Sequence, residues 1–224
     1  MTDELGLYDY LGFIVPDAVI SAAAVYGLGL ARVTTAPSAE GILLLTAAAF
    51  VVGHLNVAVA NMLQPVAFGH RPFTRLRSTE GLFGEHGRYS AAEQKEIEAE
   101  FAEYFPTAST FEEQFQLGYT LLRQKNLDAA LQTANQQIGL YRNLMAATVV
   151  CLPLLVAGAA TGHGSLRPGV WIPLDVLAIV LFAIRFRRFW VRFSDEVIRG
   201  VRALKSPPSA VSNQDEVPPG GAGA

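Results

Sequence analysis

One cysteine, Cys151, stands among 224 residues. The chain therefore has no intrachain disulfide framework and no Cys-based zinc motif. Cys151 lies in an apolar run, which predicts packing rather than reactivity. The four histidines, His54, His70, His86 and His163, are scattered, with no HExxH and no paired spacing, so no metal-ligand pattern is present. No P-loop and no GxSxG occurs. The sequence thus predicts a protein that is not an enzyme and carries no cofactor. A net charge of -3 gives no sign of a nucleic-acid binder. Residues 1–10 hold no Lys or Arg. A cleavable signal peptide begins with a positive segment, so the first apolar run is expected to be a retained helix.

What the chain has in quantity is apolar surface. Hydrophobic residues make up 51% of it, a fraction above that of an ordinary soluble domain. Four apolar runs stand out: 11–30, interrupted by Asp17; 42–63, containing His54, Asn56 and Asn61; 144–160; and 170–184, with Asp175 near its start. About twenty apolar residues cross a hydrocarbon core of roughly 30 Å. The first two runs meet that length and the third is marginal. The fourth is short, unless Arg185, Arg187 and Arg188 snorkel and Phe186, Phe189 and Trp190 sit at the interface. Links 31–41 and 161–169 are short and rich in turn residues, so the runs pair as hairpins. The expected fold is all-α: a four-helix transmembrane bundle of two hairpins, with a small helical cytoplasmic domain between the second and third spans.

The distribution of Lys and Arg sets an orientation. Of 17 such residues, only Arg32 and Arg167 fall in the hairpin links; the other fifteen lie in 64–143 or after residue 184. The positive-inside rule makes that side cytoplasmic. The expectation is a multi-pass protein of the cell inner (plasma) membrane with both termini inside. Its divisions are a first hairpin at 1–63, a cytoplasmic helical domain at 64–143, a second hairpin at 144–184, a basic amphipathic helix at 185–205 and a disordered tail at 206–224.

Within the central segment, 64–89 is rich in Gly and Pro and reads as irregular, with at most a short helix. Ser90–Glu93 and Thr110–Glu113 both have capping-box spacing. They predict helices ending near Phe105, before Pro106, and near Lys125. Leu127, Leu131, Ala134, Ile138, Tyr141 and Met145 recur at helical spacing. With no breaker between Asp128 and Leu152, one helix should run from the cytoplasm into the third span. Phe101, Tyr104, Phe105, Phe111, Phe115 and Tyr119 read either as a helical core or as a ligand-stacking surface, the core being preferred. In 185–205, Phe186, Phe189, Phe193, Val197, Val201 and Leu204 share a face among arginines. That pattern fits a helix lying on anionic lipid and fits equally one packed on the central domain.

Polar groups inside apolar spans are the candidate functional residues, because hydrocarbon makes them costly. Asp17, His54, Asn56 and Asn61 are the candidates, read either as interhelical hydrogen-bonding groups or as the lining of a pore or proton path. An Asp17–His54 contact across the first hairpin is one expectation. Asp175, near the outer end of its span, is expected to reach water. Pro16, Pro153 and Pro173 each remove a backbone donor from a span. Arg71, Arg75, Arg77 and Arg88, in a Gly-rich stretch, are candidates for contacting an anion or ligand, or serve as juxtamembrane charge that sets topology.

The segment Tyr8-Asp9-Tyr10-Leu11-Gly12-Phe13-Ile14-Val15-Pro16 resembles the opening of a group of small bacterial multi-span proteins. These enter a Gly…Pro membrane helix through an aromatic-Asp-aromatic step and end in an Arg-rich helix, here 185–205. Asp17 departs from that pattern, where Gly is common. Some of the group resemble membrane effectors of antiphage defence that act as pores or channels. The resemblance implies an oligomeric pore or channel-like protein, gated through its cytoplasmic domain by a small-molecule or protein regulator. Its partners would be the lipid bilayer and further copies of the chain. A non-conducting membrane scaffold or accessory subunit is the alternative.

Overall fold

The computed structural model describes residues 7–27, 39–83, 87–127, 129–162 and 167–205. Among them the regular structure is helical, with no strand and a single isolated bridge between Phe83 and Tyr89. Helix α1 (Leu7–Ala22) runs directly into a π turn at Ala23–Gly27. Helix α2 (Ala39–Leu63) ends in a 3-10 turn at Gln64–Phe68, where Pro65 removes a donor and Gly69 takes a left-handed conformation that closes the helix. Helices α3 (Ala91–Tyr104) and α4 (Phe111–Gln124) follow, then α5 (Ala129–Thr161) and α6 (Pro168–Lys205). The expected link at 31–41 and the turn of the second hairpin fall largely outside the described residues, and the expected tail at 206–224 falls wholly outside them.

The two capping boxes form as their spacing predicts. The Ser90 and Thr110 side chains accept from the amides of Glu93 and Glu113, and each Glu side chain accepts from its cap amide in return. Helix α5 is continuous over 33 residues and carries Pro153 within it. Helix α6 is continuous over 38. Among the described residues, three helices are long and apolar enough to cross a membrane: Phe50–Phe68, Ala129–Thr161 and Pro168–Leu204, with a shorter apolar helix at Ile14–Tyr26. The third and fourth runs had read as marginal and short because α5 and α6 continue past their apolar stretches as polar helix, which hydropathy alone does not count.

Helix α5 is the hub, packing against α1, α2 and α6. Two apolar clusters form. The larger joins Leu82, Ile97 and Phe101 to Phe115, Leu122 and Leu131, and to Val197, Ile198 and Val201 of α6. Full burial of such side chains is worth about 1.5–3 kcal/mol each. The aromatic residues of α3 and α4 are part of this core. Phe101 and Phe115 are buried, and Phe105, Phe111 and Tyr119 pack against them. The C-terminal half of α6 thus lies on the helical region. Its crossing with α4 depends on two glycines. A Cβ on Gly118 would come within 2.8 Å of Val201 Cγ2, and one on Gly200 within 2.7 Å of Leu122 Cδ1. Arg202 fixes the same surface to α3, its Nε and Nη2 donating to the two carboxylate oxygens of Glu100 at 2.6 and 3.1 Å. The smaller cluster, Ile20, Ala23, Ala147 and Cys151, lies between α1 and α5. It gives Cys151 the packing role its surroundings predict.

Candidate functional site

The intramembrane polar residues divide between one tight knot and several separate positions. The knot starts from Pro16. Proline has no N–H, so the carbonyl four residues back loses its helical donor. That carbonyl belongs to Gly12, and Asn143 Nδ2 of α5 donates to it at 2.9 Å. The Asn143 carbonyl in turn accepts from Asn56 Nδ2 of α2 at 3.1 Å. Asn56 and Asn143 are both 3% exposed. Three helices are thereby tied at one level by two amides. The Asn56 Oδ1 atom is buried without a partner. One turn further along, Arg142 Nη1 donates to Asn61 Oδ1 at 3.0 Å, and Gln64 Nε2 donates to the same atom at 3.3 Å.

Asp17 and His54 do not join. Among the described residues they form no ion pair. The Asp17 carboxylate lies instead against Gly53, where an added Cβ would collide with Oδ2. The His54 ring is exposed. Its Nδ1 sits 2.9 Å from the Phe50 carbonyl, and the two rings lie 4.3 Å apart. His54 therefore shares an open face of α2 with Phe50, Val51 and Leu55.

Asp175 is half-buried. Its Oδ2 is buried and has no hydrogen-bond partner among the described residues. The side chain lines an apolar groove of about 440 Å³, walled by Val19 and Tyr26, by Thr148 and Cys151 of α5, and by Trp171 and Phe182 of α6. Sequence reading passed over Asn143 and gave Asp175 no role. The available clue to Asn143 was the freed Gly12 carbonyl, which requires a donor from elsewhere.

The four arginines of the Gly-rich stretch do not converge. Arg75 borders a shallow hollow with Glu112 and Glu113, and Arg77 another with Glu80, Glu98 and Glu112. Arg71 is exposed and lines no described hollow. Arg88 alone crosses to α6, where Nη1 pairs with Asp195 Oδ2 at 3.0 Å. Asp195, 2% exposed, also receives Arg199 Nε at 3.1 Å and the Tyr89 hydroxyl. Burial, together with the hydrogen bond and the Asp195 charge, holds the Tyr89 hydroxyl above its ordinary pKa, and the Asp195 carboxylate raises that of Arg199. Among the described residues no three His, Cys, Asp or Glu side chains gather as a metal site. No protein-family model, curated protein or solved structure matches the chain.

Proposed function

We propose that the chain is a four-span protein of the bacterial inner membrane, with both termini and the helical region cytoplasmic. In this reading it works as an oligomeric pore or channel-like assembly gated through that region. One observation carries the reading. His54 stands exposed near the middle of the α2 span, among exposed Phe50, Val51 and Leu55. It lies nine residues before the end of α2, about 14 Å deep at 1.5 Å per residue. An ionisable ring facing hydrocarbon at that depth is costly, and such groups face bundle interiors or water-filled cavities. A single copy leaves the ring facing lipid; several copies turn this face toward a common centre. The apolar stretch of α6, almost none of it buried by the rest of the chain, also leaves room for neighbours. Continuous α5 and α6 would carry movement of the helical region into the spans.

The test combines size and flux. Purified protein in detergent is expected to be multimeric and to pass ions in liposomes, with His54→Leu changing flux while leaving the assembly intact. A strict monomer without flux sinks the proposal. A role in antiphage defence, regulated by a cytoplasmic small molecule or protein, extends it and predicts that expression protects cells from phage. A second reading, a non-conducting scaffold or accessory subunit, is favoured by Asn56 and Asn61, both engaged in interhelical hydrogen bonds rather than facing a lumen. A stable heteromeric complex without conductance would select it.

A further inference from the structure

Helix α6 turns from apolar to basic at Arg185, and its arginines then follow a helical rhythm. Arg185, Arg192 and Arg199 recur every seven residues, with Arg188 and Asp195 interleaved on the same stripe. Residues three and four apart share a helix face, so this stripe faces one way. It faces a hollow of about 910 Å³, closed on the other side by Gly81, Gly87 and Arg88. Arg187 also lines the hollow, its guanidinium lying over the Phe68 ring at 5.8 Å from the centroid. Six arginines therefore meet at one cavity, against two carboxylates, Asp195 and Glu196.

The hollow is a built site rather than a scatter of surface charge. Asp195, itself buried, pins Arg88 and Arg199 from opposite sides. Neighbouring Ser194 anchors this part of α6 to the approaching loop, its hydroxyl donating to the Ser78 carbonyl. Arg185, Arg188 and Arg192 are exposed and, among the described residues, are paired with no carboxylate. Charge that only set membrane topology would need no shared cavity.

We propose that this hollow binds a phosphate-bearing anion of at least two negative charges. Planar guanidinium groups match phosphate oxygens in bidentate fashion, and the net positive charge of the cavity walls suits a polyanion. The cavity opens at the residue where α6 leaves its apolar stretch. The same chemistry is therefore available from the headgroup of an anionic lipid or from a free phosphate ester. Binding here does not depend on the pore reading and would stand if that reading failed.

The full chain in nanodiscs of phosphatidylcholine, with and without cardiolipin, is titrated with inorganic pyrophosphate. Retained cardiolipin is counted by native mass spectrometry. Cardiolipin retention that suppresses pyrophosphate binding identifies a headgroup site; pyrophosphate binding unaffected by cardiolipin identifies a free-anion site. In either case Arg185→Gln/Arg188→Gln/Arg192→Gln weakens binding about tenfold or more, as expected for loss of several charge-assisted contacts. Matched removal of charge by Arg71→Gln/Arg75→Gln/Arg123→Gln changes it less than about twofold. Circular dichroism verifies that both triple variants are folded, and the corresponding Arg→Lys triple is expected to retain partial binding. Neither probe binding the wild type, or equal losses in the two triple variants, overturns the proposal.

Discussion

Pro16 and Asn143 should be energetically coupled, because one creates the vacancy that the other fills. In wild type the Gly12 carbonyl lacks a helical donor and accepts from Asn143 Nδ2 at 2.9 Å, at a buried level. Asn143→Ala removes that bond and leaves a buried carbonyl without a donor. Interhelical side-chain hydrogen bonds in membranes average about 0.6 kcal/mol, with about 1.7 at the upper end. A buried acceptor left unsatisfied costs about 1–3 kcal/mol. The expected loss is thus about 1–3 kcal/mol. Pro16→Ala restores an amide that can bond to Gly12 within α1. In that background the same Asn143→Ala change gives up packing and the bond from Arg142 Nε to Asn143 Oδ1, both lost equally in wild type, and its cost should fall by about 1 kcal/mol or more. The assay is reversible unfolding of the purified chain in mixed micelles, with SDS as denaturant, over the four members of the cycle. Cavity terms cancel in the difference. Costs that add to within about 0.3–0.5 kcal/mol, the range for independent sites, would refute the claim that Pro16 and Asn143 serve one carbonyl.

Two further outcomes follow from the helical region. Gly118→Ala and Gly200→Ala each place a Cβ inside a neighbouring side chain of the α4–α6 crossing; overpacking of this kind costs about 1–3 kcal/mol, read as loss of protection from proteolysis in α3 and α4, and unchanged protection would count against the close crossing. The backbone and side-chain hydrogen bonds from Ser90 hold the Glu93 carboxyl below the usual carboxylate range, and those from Ser109 do the same for Glu113. A depressed folded pKa means that the stabilisation is complete above the ordinary carboxylate pKa and is lost as pH falls through the depressed value; helicity by circular dichroism should therefore decline in acid, less so in Ser90→Ala/Ser109→Ala, and an identical acid limb in that variant would contradict the assignment.

The features legible in sequence were local. Capping boxes at Ser90 and Thr110 need only residues three apart, and α5 could be followed because nothing breaks its pattern between Asp128 and Leu152. The features that escaped depend on where separate segments meet. Helical period placed Phe193, Val197 and Val201 on one face of α6 but did not say whether lipid or protein covers it. Gly118 and Gly200, 82 residues apart in the numbering, have meaning only at the crossing they form. The arginines of 71–88 were grouped by proximity in sequence. Their fates diverge because Ser78 is tied to Glu112 of α4 and Ser194 of α6, and His70 to Glu80. Those ties deliver Arg88 to α6 and leave Arg71 at the surface.

The same contacts set a common level across the four apolar helices without reference to hydropathy. Gly12 of α1 bonds to Asn143 of α5. Asn56 of α2 donates to the Asn143 carbonyl at the same level. Tyr141, two residues back, stacks on Phe189 of α6 at 5.3 Å and 4°. Aromatic and arginine side chains are enriched where hydrocarbon meets water, and Trp190, Arg187 and Phe68 gather at this level too. Measured from it at 1.5 Å per residue, α5 extends roughly 27 Å to Thr161, α6 roughly 31 Å to Pro168 and α2 roughly 26 Å to Ala39. Each length is close to the roughly 30 Å of a bilayer core. The described part of α1 extends roughly 22 Å to Gly27. On this scale Asp175 lies roughly 21 Å from the level. Its Oδ2, without a partner among the described residues, faces the groove between α1 and α6.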